Sequence, residues 1–246
     1  MFSFKKYESL IIFYVLSILL LTIYYLTALN IVQTNNAIAE WLINYQGGFV
    51  RRGLLGELGY QVSLLFKLNL RFTFLIIQLI FYILYYVLIF KLLKNLKFNY
   101  LILISIFSPL FIIFPIAELE ALGRKEVILF IVLILNINLL IKLRVNNFSL
   151  FSISLTFPIL LLIFETSIFY SFFILSIIFI SCKELNKKFL VKLFFFSIPS
   201  IIVVLAIFLN PHSIQDTENM CNALIKLGEN CGMPTHFLSK KIDYHI

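Results

Sequence analysis

Long runs of apolar residues recur along almost the whole of this chain, and few folds can accommodate them. Each run is about 16–20 residues long, the length that a helix needs to cross the hydrocarbon core of a bilayer. Lipid offers no partner to backbone N–H and C=O groups, so each run has to be helical. The runs do not alternate polar with apolar residues, which argues against a membrane β-barrel. The sequence therefore predicts an all-α, polytopic transmembrane helical bundle.

The hydropathy pattern predicts about seven spans. They are placed at residues 10–29, 72–90, 99–117, 127–141, 148–164, 166–182 and 193–209. The composition agrees, because 61% hydrophobic and only 13% charged residues do not suit a soluble surface. The first run follows Lys5 and Lys6, and no small-residue cleavage site follows Asn30. We therefore expect this run to be an uncleaved anchor.

Basic residues set the expected topology. With the N-terminus in the cytoplasm, the short inner loops are rich in lysine, as the positive-inside rule requires. Every acidic residue except Glu8 and Glu184 then falls on the outer side. We expect an integral membrane protein, in a bacterial inner membrane, with a cytoplasmic N-terminus. The net charge of +8 is thus a topology signal, and a nucleic-acid partner is not expected.

Two regions stand apart from the spans. Helices at about residues 35–70 are expected to lie in the membrane interface, since the apolar residues of 53–70 recur mostly at three- and four-residue steps. The alternative is that residues 53–70 form an eighth span and invert everything after it. Residues 1–210 form the transmembrane domain, and the polar residues 211–246 form an extracytoplasmic loop or tail. Whether the chain is a piece of a longer membrane protein stays open.

The segment 44–57, NYQGGFVRRGLLGE, is the strongest candidate for a binding site. Its glycines allow the backbone to approach a partner closely. Arg51 and Arg52 offer planar, permanently charged donors that suit phosphate or carboxylate, and a helix starting at Gly53 would add free N–H groups. We include Glu57 in the binding set. The alternative is that the arginines anchor to lipid headgroups or pair with Glu57 and Glu118.

A second charged cluster follows the third expected span. It consists of Glu118, Glu120, Gly123, Arg124, Lys125 and Glu126. Arg124 and Lys125 could hold a second phosphate, and Glu118 or Glu120 could bind a metal or accept a proton. A solvated loop is the alternative. No residues show metal-ligand spacing, so no metal site is assigned, and the need for a divalent metal stays open.

Two further carboxylates and two cysteines complete the candidates. Glu165 interrupts two apolar runs and is expected to act as a general base or to support the arginines, the alternative being a polar turn. Glu40 could serve as a base for an acceptor hydroxyl, or be a surface residue of an amphipathic helix. Cys221 and Cys231 lie in the outer tail, where a disulfide between them is expected.

The run GFVRRGLLGE, the later Gly123-Arg-Lys-Glu126, Glu165 and the outer cysteines resemble a set of uncharacterised bacterial polytopic membrane proteins. The layout more loosely resembles the GT-C glycosyltransferases, which take sugar from a polyprenyl-phosphate carrier at the outer face. That resemblance implies that Glu40 is the base and that Arg51, Arg52 and Arg124 bind the carrier phosphate. A glycan polymerase or ligase, and a transporter, flippase or assembly protein for an anionic lipid or glycan, are the alternatives.

The expected topology can be checked with a thiol label that does not cross membranes. In intact cells it should reach reduced Cys221 and Cys231 but not Cys182, which lies at the expected inner end of a span. The measurement is the label carried by each cysteine after digestion. Labelling of Cys182 alone would contradict the expected topology.

Overall fold

The computed structural model describes residues 7–32, 36–94, 99–108, 112–119, 121–143, 145–182 and 186–231. Within these residues the fold is entirely helical, with no strand. The helices are α1 (Glu8–Ile31), α2 (Asn36–Ala39), α3 (Gly53–Phe66), α4 (Leu70–Lys94), α5 (Tyr100–Phe107), α6 (Phe114–Ala117), α7 (Glu126–Leu143), α8 (Asn147–Ile163), α9 (Ser171–Ser181), α10 (Lys187–Leu209) and α11 (Ile214–Lys226). Glu40–Leu42 and Glu165–Tyr170 form 3-10 turns.

Four of these helices are long and apolar enough to cross a membrane: α1, α4, α7 and α10. An integral membrane protein is compatible with this finding, but the expected seven spans are not supported. In the described part of residues 99–117, α5 has eight residues and α6 has four, and both are too short for a crossing. Pro115 lies in the first turn of α6, where its missing N–H favours a helix start.

The expected spans at 148–164 and 166–182 are also shorter than a full crossing. The first is α8, with 17 residues, and the second begins as a 3-10 turn before the 11 residues of α9. Hydroxyl groups explain this turn: Ser167 donates to the carbonyl of Phe164, and Ser171 donates to that of Ile168 at 2.6 Å. Such local bonds compete with the regular helix. Hydropathy alone does not detect them.

The segment expected either in the interface or as an eighth span forms α3, whose 14 residues are too few for a crossing. It packs against α4, and its buried Gly59 faces the ring of Phe74. Its other buried glycine, Gly56, approaches the backbone of Ile43 so closely that a Cβ would overlap the carbonyl oxygen. The glycines therefore allow α3 to pack closely against α4 and against the first loop.

One end of the bundle collects the termini of several helices. Arg71, in the first turn of α4, donates to the carbonyls of Asn30 and Val32 at 3.3 and 3.1 Å, where α1 ends. Its Nε also lies 2.6 Å from a carboxylate oxygen of Glu229, after α11. Near the opposite end, Lys192 donates to Asn147. The end at which Arg71, the end of α1 and the segment after α11 meet is here called the polar end.

Buried polar pairs join the long helices below the polar end. Thr22 of α1 and Tyr86 of α4 share a hydrogen bond of 2.9 Å, and Asn30 donates to Gln78 at 2.9 Å. Hydrogen bonds of this kind substitute for the hydrophobic driving force that is absent between helices in lipid. They fix α1 and α4 in register and so set where the polar end begins.

Gly56→Ala should destabilise the protein by ~1–3 kcal/mol, because the added methyl group has no space beside the Ile43 backbone. The measurement is the unfolding midpoint in detergent. Leu58→Ala, on the exposed side of the same helix, is the matched control and should change stability less. Equal effects of the two substitutions would contradict the close packing of α3.

Candidate functional site

Arg52 is the centre of a charged cluster at the polar end. Its Nε lies 2.5 Å from Oε2 of Glu165, and its Nη1 lies 3.3 Å from Oε1 of Glu40. Its guanidinium carbon is 5.5 Å from the centre of the Phe164 ring, within cation–π range. Three separate parts of the chain meet at this one side chain: the first loop, the start of α3 and the end of α8.

The backbone at Arg52 adopts a left-handed conformation, with φ +67°. This is uncommon for a residue with a side chain and persists only where neighbours hold it. Lys125 provides one such contact, because its Nζ donates to the Arg52 carbonyl at 2.7 Å. Lys125 is fully buried. This revises the expectation of a phosphate ligand, since its ammonium contacts the backbone of the arginine turn and is closed to solvent.

The pKa values of the two cations are shifted in opposite directions. Desolvation lowers the pKa of Lys125 to about 7; nearby Glu40 and Glu165 oppose the decrease, and Arg52 adds to it. Desolvation also disfavours charged Arg52, but its hydrogen bond to Glu165 and the charges of Glu165 and Glu40 outweigh burial, so its pKa is raised. Arg52 is therefore a fixed charge, whereas Lys125 can lose its proton near neutral pH.

The turn that carries Arg124 and Lys125 is held from several sides at Gly123. The carbonyl of Gly123 accepts hydrogen bonds from Trp41 Nε1 and, at 3.4 Å, from Gln78 Nε2. Its N–H donates to the Tyr82 hydroxyl at 3.2 Å. The φ of +84° at this position favours glycine. The first loop and α4 thus jointly place the Gly-Arg-Lys turn beside Arg52.

Two guanidinium groups at this end remain accessible. Arg51 Nε lies 3.9 Å from Glu165 Oε1, and the Arg51 side chain is 43% exposed. Arg124 Nη1 lies 3.8 Å from Glu126 Oε1, and the Arg124 side chain is 46% exposed. Neither distance is a close hydrogen bond. Their exposure makes these two side chains accessible to a ligand, whereas the Arg52 side chain is 23% exposed and is held by Glu40 and Glu165.

An aromatic groove adjoins the charged cluster. It consists of two neighbouring hollows of about 470 and 330 Å³ that share Glu126 and Tyr170. Phe164, Phe169 and Phe173 line the larger hollow, and Arg124 and Glu118 lie on the smaller one. Oε2 of Glu126 is buried in the described structure without a hydrogen-bond partner. The groove offers an apolar surface with charged groups along its edge.

The remaining acidic candidates are placed differently. Glu57 accepts from the Tyr45 N–H at 3.0 Å, from Gln46 at 2.9 Å and from Gln61 at 2.6 Å. It therefore shapes the loop before the arginines, and the structure gives it neither an ion pair with them nor a place on the groove. Glu118 is exposed at the smaller hollow. Glu120 lies outside the described residues.

The structure joins Cys221 and Cys231 by a disulfide, with their Cα atoms 5.2 Å apart. Within the described ranges, no three His, Cys, Asp or Glu side chains converge as a metal site would require. The structure therefore names no metal-binding residues among those it describes.

Sequence reasoning did not find the buried pair of Arg71 and Glu229. A signal was present, because Arg71 lies in the first turn of an apolar helix, where the helix dipole disfavours a cation. Such a residue needs a carboxylate partner, and Glu229 was expected on the same side. The structural role of Trp41 had no comparable signal, since its partner is a backbone carbonyl.

No protein-family model, no curated protein and no solved structure matches this chain. The chemistry of the site therefore rests on its own residues.

The low pKa of Lys125 predicts a pH-dependent stability. Its folded-state pKa of about 7 lies below the ordinary 10.5, so the folded protein binds fewer protons than the unfolded chain between those values. The wild type should become more stable relative to Lys125→Met as the pH rises from 7 to 10. Below pH 7 the difference in stability between the two proteins should stay constant. Unfolding midpoints across this range are the measurement.

Lys226→Met is the matched control for that experiment, because it removes an exposed positive charge from the same end of the protein. The stability of the wild type relative to Lys226→Met should not rise with pH in this way. A stability difference between wild type and Lys125→Met that does not vary with pH would contradict a desolvated ammonium.

Proposed function

We propose that this chain is an integral membrane glycosyltransferase-like enzyme that uses a polyprenyl-phosphate-linked sugar. The observation that carries the proposal is the position of the aromatic groove beside the charged cluster: Phe164, whose ring centre lies 5.5 Å from the Arg52 guanidinium carbon, lines the larger hollow, and Arg124 lies on the smaller one. A ligand with an anionic head and a long hydrocarbon chain suits such a site. An anionic solute without a chain would leave the groove unused.

Arg51 and Arg124 are the proposed phosphate ligands, since the side chains of both are nearly half exposed and Arg124 lines the groove. Guanidinium groups match the oxygens of a phosphate with two parallel donors. Arg52 is assigned a supporting role, because Glu165 and Glu40 already engage it. Its charge nevertheless adds to the positive potential of the site.

The two catalytic candidates receive different roles. Glu165 is close to Arg52 and within 3.9 Å of Arg51, so we assign it as a support that orients both arginines. Glu40 has one longer contact, of 3.3 Å to Arg52, and its side chain is 21% exposed. We assign Glu40 as the general base that accepts the proton of an acceptor hydroxyl.

The proposed reaction is a substitution at the anomeric carbon of the donor sugar. The acceptor oxygen forms a bond to that carbon, and the bond to the carrier phosphate oxygen breaks with its electron pair. Glu40 takes the proton, and the arginines stabilise the negative charge that develops on the departing phosphate. A divalent metal could add to that stabilisation, but the proposal does not depend on one.

The orientation in the membrane belongs to the same proposal. The N-terminus is cytoplasmic, and the polar end faces outward. Support comes from the lysine-rich segments opposite the polar end, where Lys192 contacts Asn147. The expected location is a bacterial inner membrane.

Arg51→Lys tests the phosphate assignment, because it preserves the charge but loses the two-donor geometry. Transfer of labelled sugar from a polyprenyl-phosphate donor by membranes that contain the protein should fall about 10- to 100-fold, at equal protein level. Arg124→Lys should act in the same direction. Lys226→Ala, which removes a charge from the exposed side of α11, should leave transfer unchanged.

Two results would count against the enzyme. Unchanged transfer in the Arg51→Lys, Arg124→Lys double variant would exclude these side chains as phosphate ligands. No transfer by the wild type, together with movement of an anionic lipid across vesicles that contain it, would favour the flippase alternative.

A further inference from the structure

The helix α11, the last one in the described part of the chain, packs against the loop that leads into the two arginines. Met220 is fully buried together with Ile43 and Val50, and its sulfur accepts a hydrogen bond of 3.4 Å from the Asn44 N–H. A side chain at Gly47 would overlap the carbonyl of Asp216, so the loop and α11 are in direct backbone contact. The paired glycines of the motif thus accommodate the chain's own helix.

The same loop is covered on its other side by α3. Gly56 of α3 contacts the carbonyl of Ile43, and Gly53 lies against the Tyr45 ring. The loop is therefore a single layer between two helices. Val50, its last buried residue, directly precedes Arg51 and Arg52. The position of the arginine turn consequently depends on α11 as well as on α3.

One disulfide and one ion pair hold α11 in place. The disulfide joins Cys221, next to Met220, to Cys231, and closes a loop with a sequence separation of 10. Glu229 lies inside that closed loop, is 3% exposed and pairs with Arg71 at 2.6 Å. Arg71 is in turn anchored to the end of α1 by two carbonyls. The disulfide therefore links the helix behind the motif to a buried ion pair of the bundle.

We propose that the Cys221–Cys231 disulfide is a redox latch that positions the Arg51–Arg52 turn for binding an anionic head group. In the oxidised protein, α11 supports the loop through Met220, and the turn is fixed. A dithiol reductant supplies two electrons and two protons and is itself oxidised to a disulfide; the S–S bond is replaced by two thiols, and α11 separates from the loop. This inference rests on the proposed function for the identity of the ligand, but the latch itself does not require catalysis.

Met220 and Glu229 are positioning residues in this scheme, since neither contacts the groove or the exposed guanidinium groups. A disulfide across a short loop favours the folded arrangement by a factor on the order of a hundred. In this scheme, loss of that factor shifts the equilibrium of α11 toward the undocked arrangement, while the long helices retain their own packing.

Trp41 provides a nearby readout, because it is the single tryptophan of the chain and precedes Ile43, which packs against Met220, by two residues. It is fully buried, follows Glu40 in the same turn and donates to Gly123. Purified full-length protein would be treated with dithiothreitol, and acrylamide quenching of Trp41 would be measured beside binding of farnesyl phosphate. Farnesol, which lacks the phosphate, is the matched ligand control.

Reduction should increase the quenching of Trp41 and weaken farnesyl phosphate binding about tenfold, the effect of one displaced charge-assisted contact. Binding of farnesol should not change. Cys182→Ser should respond as the wild type does. The Cys221→Ser, Cys231→Ser double variant should resemble the reduced protein from the start and ignore the reductant.

A second pair of variants keeps the disulfide intact. Met220→Ala should weaken farnesyl phosphate binding in the oxidised protein, whereas Ile225→Ala, on the exposed side of the same helix, should not. Helical content by circular dichroism would verify that each variant is folded. Unchanged Trp41 quenching and unchanged affinity after complete reduction, verified by thiol counting, would overturn the latch.

The test separates this inference from the proposed function. A redox-dependent change at Trp41 without farnesyl phosphate binding in either state would retain the latch as a structural device and overturn the ligand assignment. Tight farnesyl phosphate binding that is indifferent to reduction would retain the ligand and overturn the latch.

Discussion

The guanidinium of Arg52 is held between two carboxylates that come from distant parts of the chain. Glu40 precedes it by 12 residues and Glu165 follows it by 113. A charge withdrawn from water beside apolar helices is tolerable only when partners surround it, and removing one partner leaves the others uncompensated. The first loop, the start of α3 and the end of α8 therefore have to meet. The remainder of the polar end is arranged around that requirement.

Much of this arrangement could be predicted from the sequence. Alternating spans place Arg51, Arg52, the Gly-Arg-Lys turn and Glu165 on one face, because each lies at the same end of an apolar run. The structure does bring these groups together, whereas their roles in chemistry stay predictions. Residue type could not distinguish the arginines from each other. Only the contacts reveal that Arg52 is internal and that Arg51 is accessible.

Other features of the structure could not be predicted from the hydropathy and charge patterns, for physical reasons. Hydropathy averages over a window and does not detect where a helix stops, so the end of α5 at Phe107 was missed, and the extent of the 3-10 turn over Glu165–Tyr170 was not predicted. Charge in a motif suggested that Glu57 and Lys125 face a ligand. Both instead satisfy backbone groups, of Tyr45 and Arg52 respectively. A buried polar side chain that completes a turn looks the same in a sequence as one that binds a substrate.

Two turns with positive φ define the site, at Arg52 and at Gly123, and neither would be stable alone. Trp41 and Gln78 donate hydrogen bonds to the Gly123 carbonyl and so fix this turn. Lys125, two residues later, connects the turn to Arg52 through a single hydrogen bond to the Arg52 carbonyl. Because an ammonium is strongly hydrated, placing Lys125 there costs free energy that a neutral residue would not. Its position is best explained by the geometry it enforces. The arginine turn is thereby tied to α7, to α4 and to the first loop, so that the accessible guanidinium of Arg51 is presented by a rigid support.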